Sequence, residues 1–154
     1  MKDLTASRRK RLQALVGEWR GTGTVAVAGE RFPITVRWSC ESIAAGYSVR
    51  AQAEIAGIPG MEHFMDVEQF GYDDADPKIH AGTVCNAGEV HHLVGGWFDD
   101  GLRVEDTREH LEVRLIAPDA LQLHVVNKGG GPVFDVALQR ARTDSGQESG
   151  KRNL

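Results

Sequence analysis

The chain has 154 residues, of which 18 are Lys or Arg and 22 are Asp or Glu, so its formal net charge at pH 7 is −4. A slightly acidic chain of this length predicts one domain with a single core, and it excludes a broadly basic surface for nucleic acid or anionic membranes. Every apolar run is far shorter than the roughly 20 residues of a transmembrane helix. The segment after the basic run 8–11 is also too short and too polar for a signal-peptide core. We therefore expect a cytoplasmic protein whose partners include neither nucleic acid nor membrane.

The first predicted element is a short helix over residues 4–16. Leu12, Leu15 and Val16 share one helix face at spacings of three and four residues, and the basic run 8–11 occupies the other faces. We interpret this run as a solvated helix face, because it is short and the chain as a whole is acidic.

After Gly17 the apolar period changes to two, which is typical of successive half-buried strands. Short segments rich in Gly, Pro, Asn and Asp separate the alternating runs, and no second helical segment is long enough to connect parallel strands. The pattern predicts an all-β fold of about nine or ten antiparallel strands after a short N-terminal helix. An up-and-down β-barrel is favoured over a sandwich, because closure leaves no exposed sheet edge.

The predicted barrel domain spans residues 1–142, and the polar segment 143–154 is predicted to be a disordered tail. Within the barrel domain, Cys40 and Cys85 lie in strand-like runs without CxxC or Cys–His spacing. Two such cysteines are too few for a disulfide framework and do not indicate zinc. We expect reduced core thiols and no metal site.

Strand parity predicts which side chains face the barrel interior. On the predicted fourth strand we expect His63 to point inward between two methionines, with Asp66 and Glu68 on the opposite face. The Met-x-His-x-Met pattern is interpreted as pocket lining in preference to soft-metal ligation. The side chains predicted to point inward on the first four strands include Trp19, Val25, Val27, Trp38, Cys40, Tyr47, Val49, Met61, His63, Met65 and Val67.

Two adjacent histidines, His91 and His92, fall in the strand-like run 86–97 and must point to opposite faces. Both faces carry apolar neighbours, so alternation alone leaves the orientation open. We expect His91 to point inward, because Trp97 shares its face and suits a barrel wall. Exposed apolar groups on the other face would indicate a homodimer surface.

A short helix followed at once by Gly17-Glu18-Trp19 resembles the Gly-x-Trp opening of lipocalins, fatty-acid-binding proteins and nitrobindin-like barrels, together called calycins. In that family the Gly permits a tight turn into the first strand, the Trp closes one end of the barrel, and a late basic residue packs on the Trp. Arg140 or Arg142 holds the position of that basic residue.

The runs 70–73, 86–92 and 95–97 more narrowly resemble a bacterial lipocalin-like group of unassigned function, and the whole resemblance covers residues 10–142. Nitrobindin-like barrels bind haem through a histidine near the C-terminal end. His124 is the candidate here, but its position between Leu123 and Val125 predicts an outward side chain.

These observations predict that the barrel interior binds a small, mostly hydrophobic molecule without a resident cofactor. The expected ligand-binding residues are His63, His91, Tyr47, Trp38, Met61 and Met65, with Asp106 as a further member of the polar cluster. One alternative is an enzyme in which a pocket histidine acts as general base. A haem-binding barrel is the other alternative.

Overall fold

In the computed structural model the described residues are 4–141, with side chains described from residue 7 onward. Arg142 and the predicted disordered tail 143–154 therefore lie outside the described residues. Helix α1 (Leu4–Gln13) ends three residues before the predicted boundary, because the amides of Leu15 and Val16 bond back to carbonyls three residues earlier in a tightened last turn. Between residues 4 and 141, no helix combines the length and the apolarity needed to cross a membrane.

Ten antiparallel strands follow α1, and each strand pairs with the next one along the chain. The last strand pairs with the first, so the sheet closes into the predicted up-and-down barrel. The strands are β1 (Gly17–Val27), β2 (Glu30–Ile43), β3 (Ser48–Ala56), β4 (Phe64–Asp73), β5 (Asp76–Cys85), β6 (Val90–Phe98), β7 (Gly101–Glu105), β8 (Glu109–Ala117), β9 (Ala120–Asn127) and β10 (Val133–Arg140).

Trp19 and Arg140 lie together where β1 and β10 begin and end, at the barrel end that α1 covers. The Trp19 indole is buried and donates a hydrogen bond to the Leu15 carbonyl at 3.0 Å. The Arg140 guanidinium lies 4.2 Å from the centre of the Trp19 ring, so Arg140 makes the cation–π contact for which Arg140 and Arg142 were both candidates. Gly17 has a φ of 145°, and a Cβ there would overlap the Arg140 guanidinium.

The basic run of α1 is not simply a solvated face, as the sequence suggested. The Arg11 guanidinium lies 4.2 Å from the centre of the Trp97 ring, and that of Arg9 lies 4.1 Å from the centre of the Tyr47 ring. These cation–π contacts hold the polar side of the helix against the rim of the barrel. They also place Tyr47, which is 55% exposed, on the outer surface after a short 3-10 turn.

The inward parity of most strands matches the prediction. Trp38, Cys40, Val49 and Trp19 are buried, and both cysteines are free thiols, with Cys40 buried and Cys85 half-buried. The closely packed part of the core lies toward α1. It includes the fully buried side chains of Leu12, Trp19, Phe70, Ile79, Leu93, Leu102, Leu121 and Leu138.

Strand β4 has the opposite parity to the one predicted. Phe70 is 1% exposed and Glu68 is 5% exposed, so the inward face carries Phe64, Asp66, Glu68 and Phe70. A shift of one residue exchanges the two faces of a strand, so Met65 and Val67 point to the outer face. Met61 and His63 precede the strand altogether and lie in the loop 57–63. The prediction that these four residues line the interior was wrong.

Candidate functional site

A cavity of about 80 Å³ occupies the barrel half that lies away from α1. The connections 28–29, 57–63, 86–89, 106–108 and 128–132 gather at this end, because α1 and the opposite set of hairpins close the other one. The apolar part of the cavity wall includes Trp38, Ile55, Phe64, Leu111, Val125 and Phe134. Phe64 and Phe134 stack across the barrel with ring centres 6.4 Å apart.

His91, on β6, points into this cavity and is 6% exposed. Its Nδ1 lies 3.0 Å from Oδ2 of Asp106, the first residue after β7. The other oxygen of Asp106 accepts hydrogen bonds from the backbone amides of Arg108 and Glu109, at 2.7 and 2.6 Å. A tight turn therefore fixes the carboxylate, and the carboxylate fixes the imidazole ring. The prediction that His91 and not His92 faces inward agrees with this geometry.

The electrostatics of this pair favour its charged form. Burial by itself lowers the pKa of His91, but the hydrogen bond to Asp106 and the nearby charge of Glu109 outweigh it and raise that pKa above the usual range. Partial burial pushes the pKa of Asp106 upward, whereas the hydrogen bonds from His91 and two backbone amides pull it below the usual range. Asp106 is thus the anion that supports an imidazolium at His91.

Replacing Asp106 with asparagine is expected to lower the pKa of His91, because the amide removes the negative charge beside Nδ1 while burial still disfavours the imidazolium. Imidazole proton shifts followed by NMR across the pH range measure this change. The matched control is Asp135→Asn, since Asp135 holds a different histidine, His124, on the outside of the barrel at 2.6 Å. An unchanged His91 titration in Asp106→Asn would contradict the pairing.

Four carboxyl groups line the same cavity, from Asp66 and Glu68 on β4, Glu89 just before β6 and Glu109 at the start of β8. Burial, reinforced by the charge of Glu109, raises the pKa of Asp66 to about 7. Burial and the charge of Asp66 raise the pKa of Glu68 well above its usual value, against the hydrogen bond that Trp38 donates at 3.1 Å. Burial also raises the pKa of Glu109, although the charge of His91 opposes it. No Lys or Arg of the described residues lines the cavity, and His91, 3.3 Å from the Glu109 carboxylate, is the single cationic group among these lining residues.

Two buried atoms of the cavity have no hydrogen-bond partner. Among the described side chains, the buried nitrogen and oxygen atoms that lack a partner are Oδ1 of Asp66 and Nε2 of His91. Nε2 lies 3.3 Å from a Glu109 oxygen without a directed hydrogen bond. An unsatisfied buried polar atom costs about 1–3 kcal/mol, so its usual partner is a water molecule or a ligand.

The structure brings together only part of the predicted site. Trp38 and His91 line the cavity, and Asp106 supports His91 from behind. Tyr47 was predicted to point inward, but it lies outside the barrel under Arg9 at the α1 end. His63 is exposed, and it lies with Met61 in the loop before β4, while Met65 points outward from that strand.

The sequence interpretation missed Asp66, Glu68 and Glu109 as inward residues. The available signal was the even-numbered aromatic pair Phe64 and Phe70, whose parity places the two acids of β4 on the core face. An inward acid breaks the apolar pattern that the parity assignment relied on.

Haem does not fit this cavity. The candidate ligand His124 is on the outer surface, hydrogen-bonded to Asp135, as its position in β9 predicted. The volume of about 80 Å³ is also below the roughly 300–1,000 Å³ of sites for drug-sized ligands. For metals, no group of three or more His, Cys, Asp or Glu side chains within residues 4–141 is arranged to hold an ion.

No protein-family model matches the sequence, and no curated protein matches it either. The fold is similar to that of Rv2717c from M. tuberculosis, with a TM-score of 0.67 and 11% identity over 92% of this chain and 100% of that chain. This chain shares with that protein the fold of a closed antiparallel β-barrel.

Two further solved structures share the barrel fold. The redesigned β-barrel mFAP1, bound to DFHBI, matches with a TM-score of 0.51 and 12% identity over 84% of this chain and 98% of that chain. The S-type phycobiliprotein lyase CPES from Guillardia theta matches with a TM-score of 0.50 and 11% identity over 92% and 99% of the two chains. Identities this low establish the fold alone.

Proposed function

We propose that this calycin-like barrel binds a small organic molecule in its cavity, with the polar end of the molecule at His91 and Asp66. The observation that carries the proposal is the pair of buried, unsatisfied atoms, Nε2 of His91 and Oδ1 of Asp66, in the lining of one cavity. A ligand that hydrogen-bonds to both atoms removes the cost of leaving them unpaired. Apolar walls with a few convergent polar groups are the usual composition of a small-molecule site.

The size of the cavity limits which part of the ligand is enclosed. An engineered cavity of about 150 Å³ holds one benzene molecule, and the volume here is about 80 Å³. The enclosed part is therefore a small head group. The hydrophobic part of the ligand extends along Phe64 and Phe134 toward the loops at this end of the barrel. The ligand is thus more polar at its enclosed end than the sequence suggested.

Protein purified from its own host is expected to carry a ligand that native mass spectrometry detects as a mass increment. His91→Ala should lose the increment, because the substitution removes the only imidazole among the described cavity-lining residues. His124→Ala is the matched control, since His124 also pairs with an aspartate but lies outside. His63→Ala should likewise keep the ligand, because His63 is exposed. Equal retention by His91→Ala would contradict the proposed site.

Catalysis is a second candidate function, favoured by the 3.0 Å contact between His91 and Asp106. A histidine oriented by a carboxylate, with its other ring nitrogen toward a cavity, is the arrangement of a general base and its positioning group. Nε2 would accept a proton from the enclosed head group. Conversion of the co-purified ligand by the native protein, but not by Asp106→Asn, would support this function. A ligand that is recovered chemically unchanged would support binding alone.

A further inference from the structure

The ionisable side chains of the cavity lining are strongly unbalanced in sign. Asp66, Glu68, Glu89 and Glu109 are acids, against the single imidazole of His91. No Lys or Arg within residues 4–141 belongs to this lining. A poorly solvated cavity with an excess of acids attracts a cation more strongly than a neutral molecule or an anion.

The unsatisfied atoms independently indicate a hydrogen-bond donor. His91 is more than nine-tenths buried, and its Nε2 has no hydrogen bond. The raised pKa of His91 favours an imidazolium in the free protein, whereas a cationic guest favours the neutral ring, in which Nδ1–H donates to Asp106 and Nε2 is an acceptor. Oδ1 of Asp66 is an acceptor whenever that carboxyl is ionised. With His91 neutral and Asp66 ionised, the cavity holds two acceptors without donors, and a guest with more than one N–H or O–H group satisfies both.

We propose that the ligand is a small primary amine, bound as its ammonium ion between Asp66, His91 and Glu109. An ammonium group has three N–H donors and no acceptor, so it satisfies both unpaired atoms and supplies the missing positive charge. The cavity of about 80 Å³ encloses this head group and its first carbons, and the rest of the alkyl or aryl group packs on Phe64 and Phe134. This inference rests on the proposed function and specifies the class of its ligand.

Calorimetric titration at pH 7 with hexylamine, hexanol and hexanoate tests the inference, because the three probes share one alkyl chain and differ in head-group charge. We expect hexylamine to bind at least about tenfold more tightly than hexanol, the effect of one charge-assisted hydrogen bond. Hexanoate should bind most weakly. If hexanol or hexanoate binds as tightly as hexylamine and requires His91, the amine inference fails and the proposed function stands. If hexylamine does not bind but a co-purified ligand is retained and is lost in His91→Ala, the amine inference also fails and the proposed function stands.

Asp66→Asn separates the charge of the site from its shape. The amide keeps the outline of the carboxyl, so we expect a folded variant that loses about tenfold in hexylamine affinity and keeps its hexanol affinity within about twofold. Exposed Glu62 provides the control, since Glu62→Gln removes an acid from the same end of the barrel outside the cavity. Thermal melts establish that both variants are folded. Unchanged hexylamine affinity in Asp66→Asn overturns the inference.

Discussion

Replacing Arg140 with alanine is expected to lower the free energy of unfolding by roughly 2–4 kcal/mol. The guanidinium donates hydrogen bonds to the carbonyls of Val16 at 2.6 Å and of Ala14 and Pro118 at 3.1 Å. It also stacks on the buried ring of Trp19. Alanine leaves three carbonyls without this donor and exposes the indole, at the point where α1 meets the first and last strands.

Arg37→Ala is the matched control for Arg140→Ala. The Arg37 side chain is 58% exposed, and its ion pair with Glu54 has a distance of 3.9 Å. Exposed ion pairs of this kind contribute about 0–1 kcal/mol, so we expect a small change. Urea denaturation of both variants measures the difference. Equal destabilisation by the two substitutions would contradict the conclusion that the contacts of Arg140 stabilise the closed end of the barrel.

Asp66→Asn is expected to stabilise the free protein at neutral and alkaline pH. Because the folded-state pKa of Asp66 is raised from 3.8 to about 7, the folded state holds a proton that the unfolded state has lost between these values. The stability that this group contributes is therefore complete below about pH 4 and is lost as the pH rises through about 7. Asparagine does not titrate. The free energy of unfolding of the variant minus that of the native protein should therefore be roughly 2–4 kcal/mol larger at pH 8 than at pH 4.

Denaturant unfolding of the native protein and the variant at pH 4 and pH 8 measures this change. Any effect of the amide that does not depend on pH is the same at both pH values and cancels. Glu62→Gln is again the control, because Glu62 is exposed to water in the folded state as well as in the unfolded state. A native protein and an Asp66→Asn variant with the same dependence of stability on pH would show that Asp66 does not titrate in a buried environment.

The same substitution acts in opposite directions on stability and on binding. Asp66→Asn should make the empty barrel more stable and its complex with an amine weaker, since the carboxylate is costly when unpartnered and favourable beside an ammonium group. A residue that destabilises the free protein and improves ligand binding is typical of a functional site. An effect on stability alone would be expected of a purely structural residue.

The barrel could be predicted from sequence because its strands obey a simple rule along most of the chain. Ile34, Val36, Trp38 and Cys40 alternate with polar residues in β2, and all four are buried. Closure of the sheet follows from the succession of hairpins, which leaves β1 as the neighbour of β10. The strand count needed no tertiary information beyond this alternation, whereas the helix ends three residues before the predicted boundary.

The candidate site could be predicted only in part, because it lies where the strand pattern reverses. In β4 the rule that apolar side chains face inward selected Met65 and Val67, whereas the structure turns half-buried Asp66 and buried Glu68 inward between Phe64 and Phe70. The face of β4 that points into the barrel depends on the neighbouring strands, because β4 pairs in fixed register with β3 and β5. That information is not local to the strand.

Tyr47 and the basic run of α1 were misassigned for a related reason. Tyr47 continues the alternation of β3 by sequence, but the strand begins at Ser48 after a 3-10 turn, and the ring packs under Arg9. A helix docked on the barrel rim changes the environment of Tyr47 and of the basic run, and only the tertiary structure shows this contact.

Homodimerisation and a cytoplasmic location remain predictions from the sequence.

Half of the barrel encloses poorly solvated carboxyl groups, for which we propose a cationic ligand. Carboxyl carbon shifts followed by NMR across the pH range, with Asp66→Asn to assign the signal, test this proposal most directly. The account predicts that the Asp66 carboxyl titrates near pH 7 in the free protein, and that hexylamine shifts this midpoint to lower pH because an ammonium group favours the carboxylate. A midpoint near 3.8 that hexylamine leaves unchanged would contradict it.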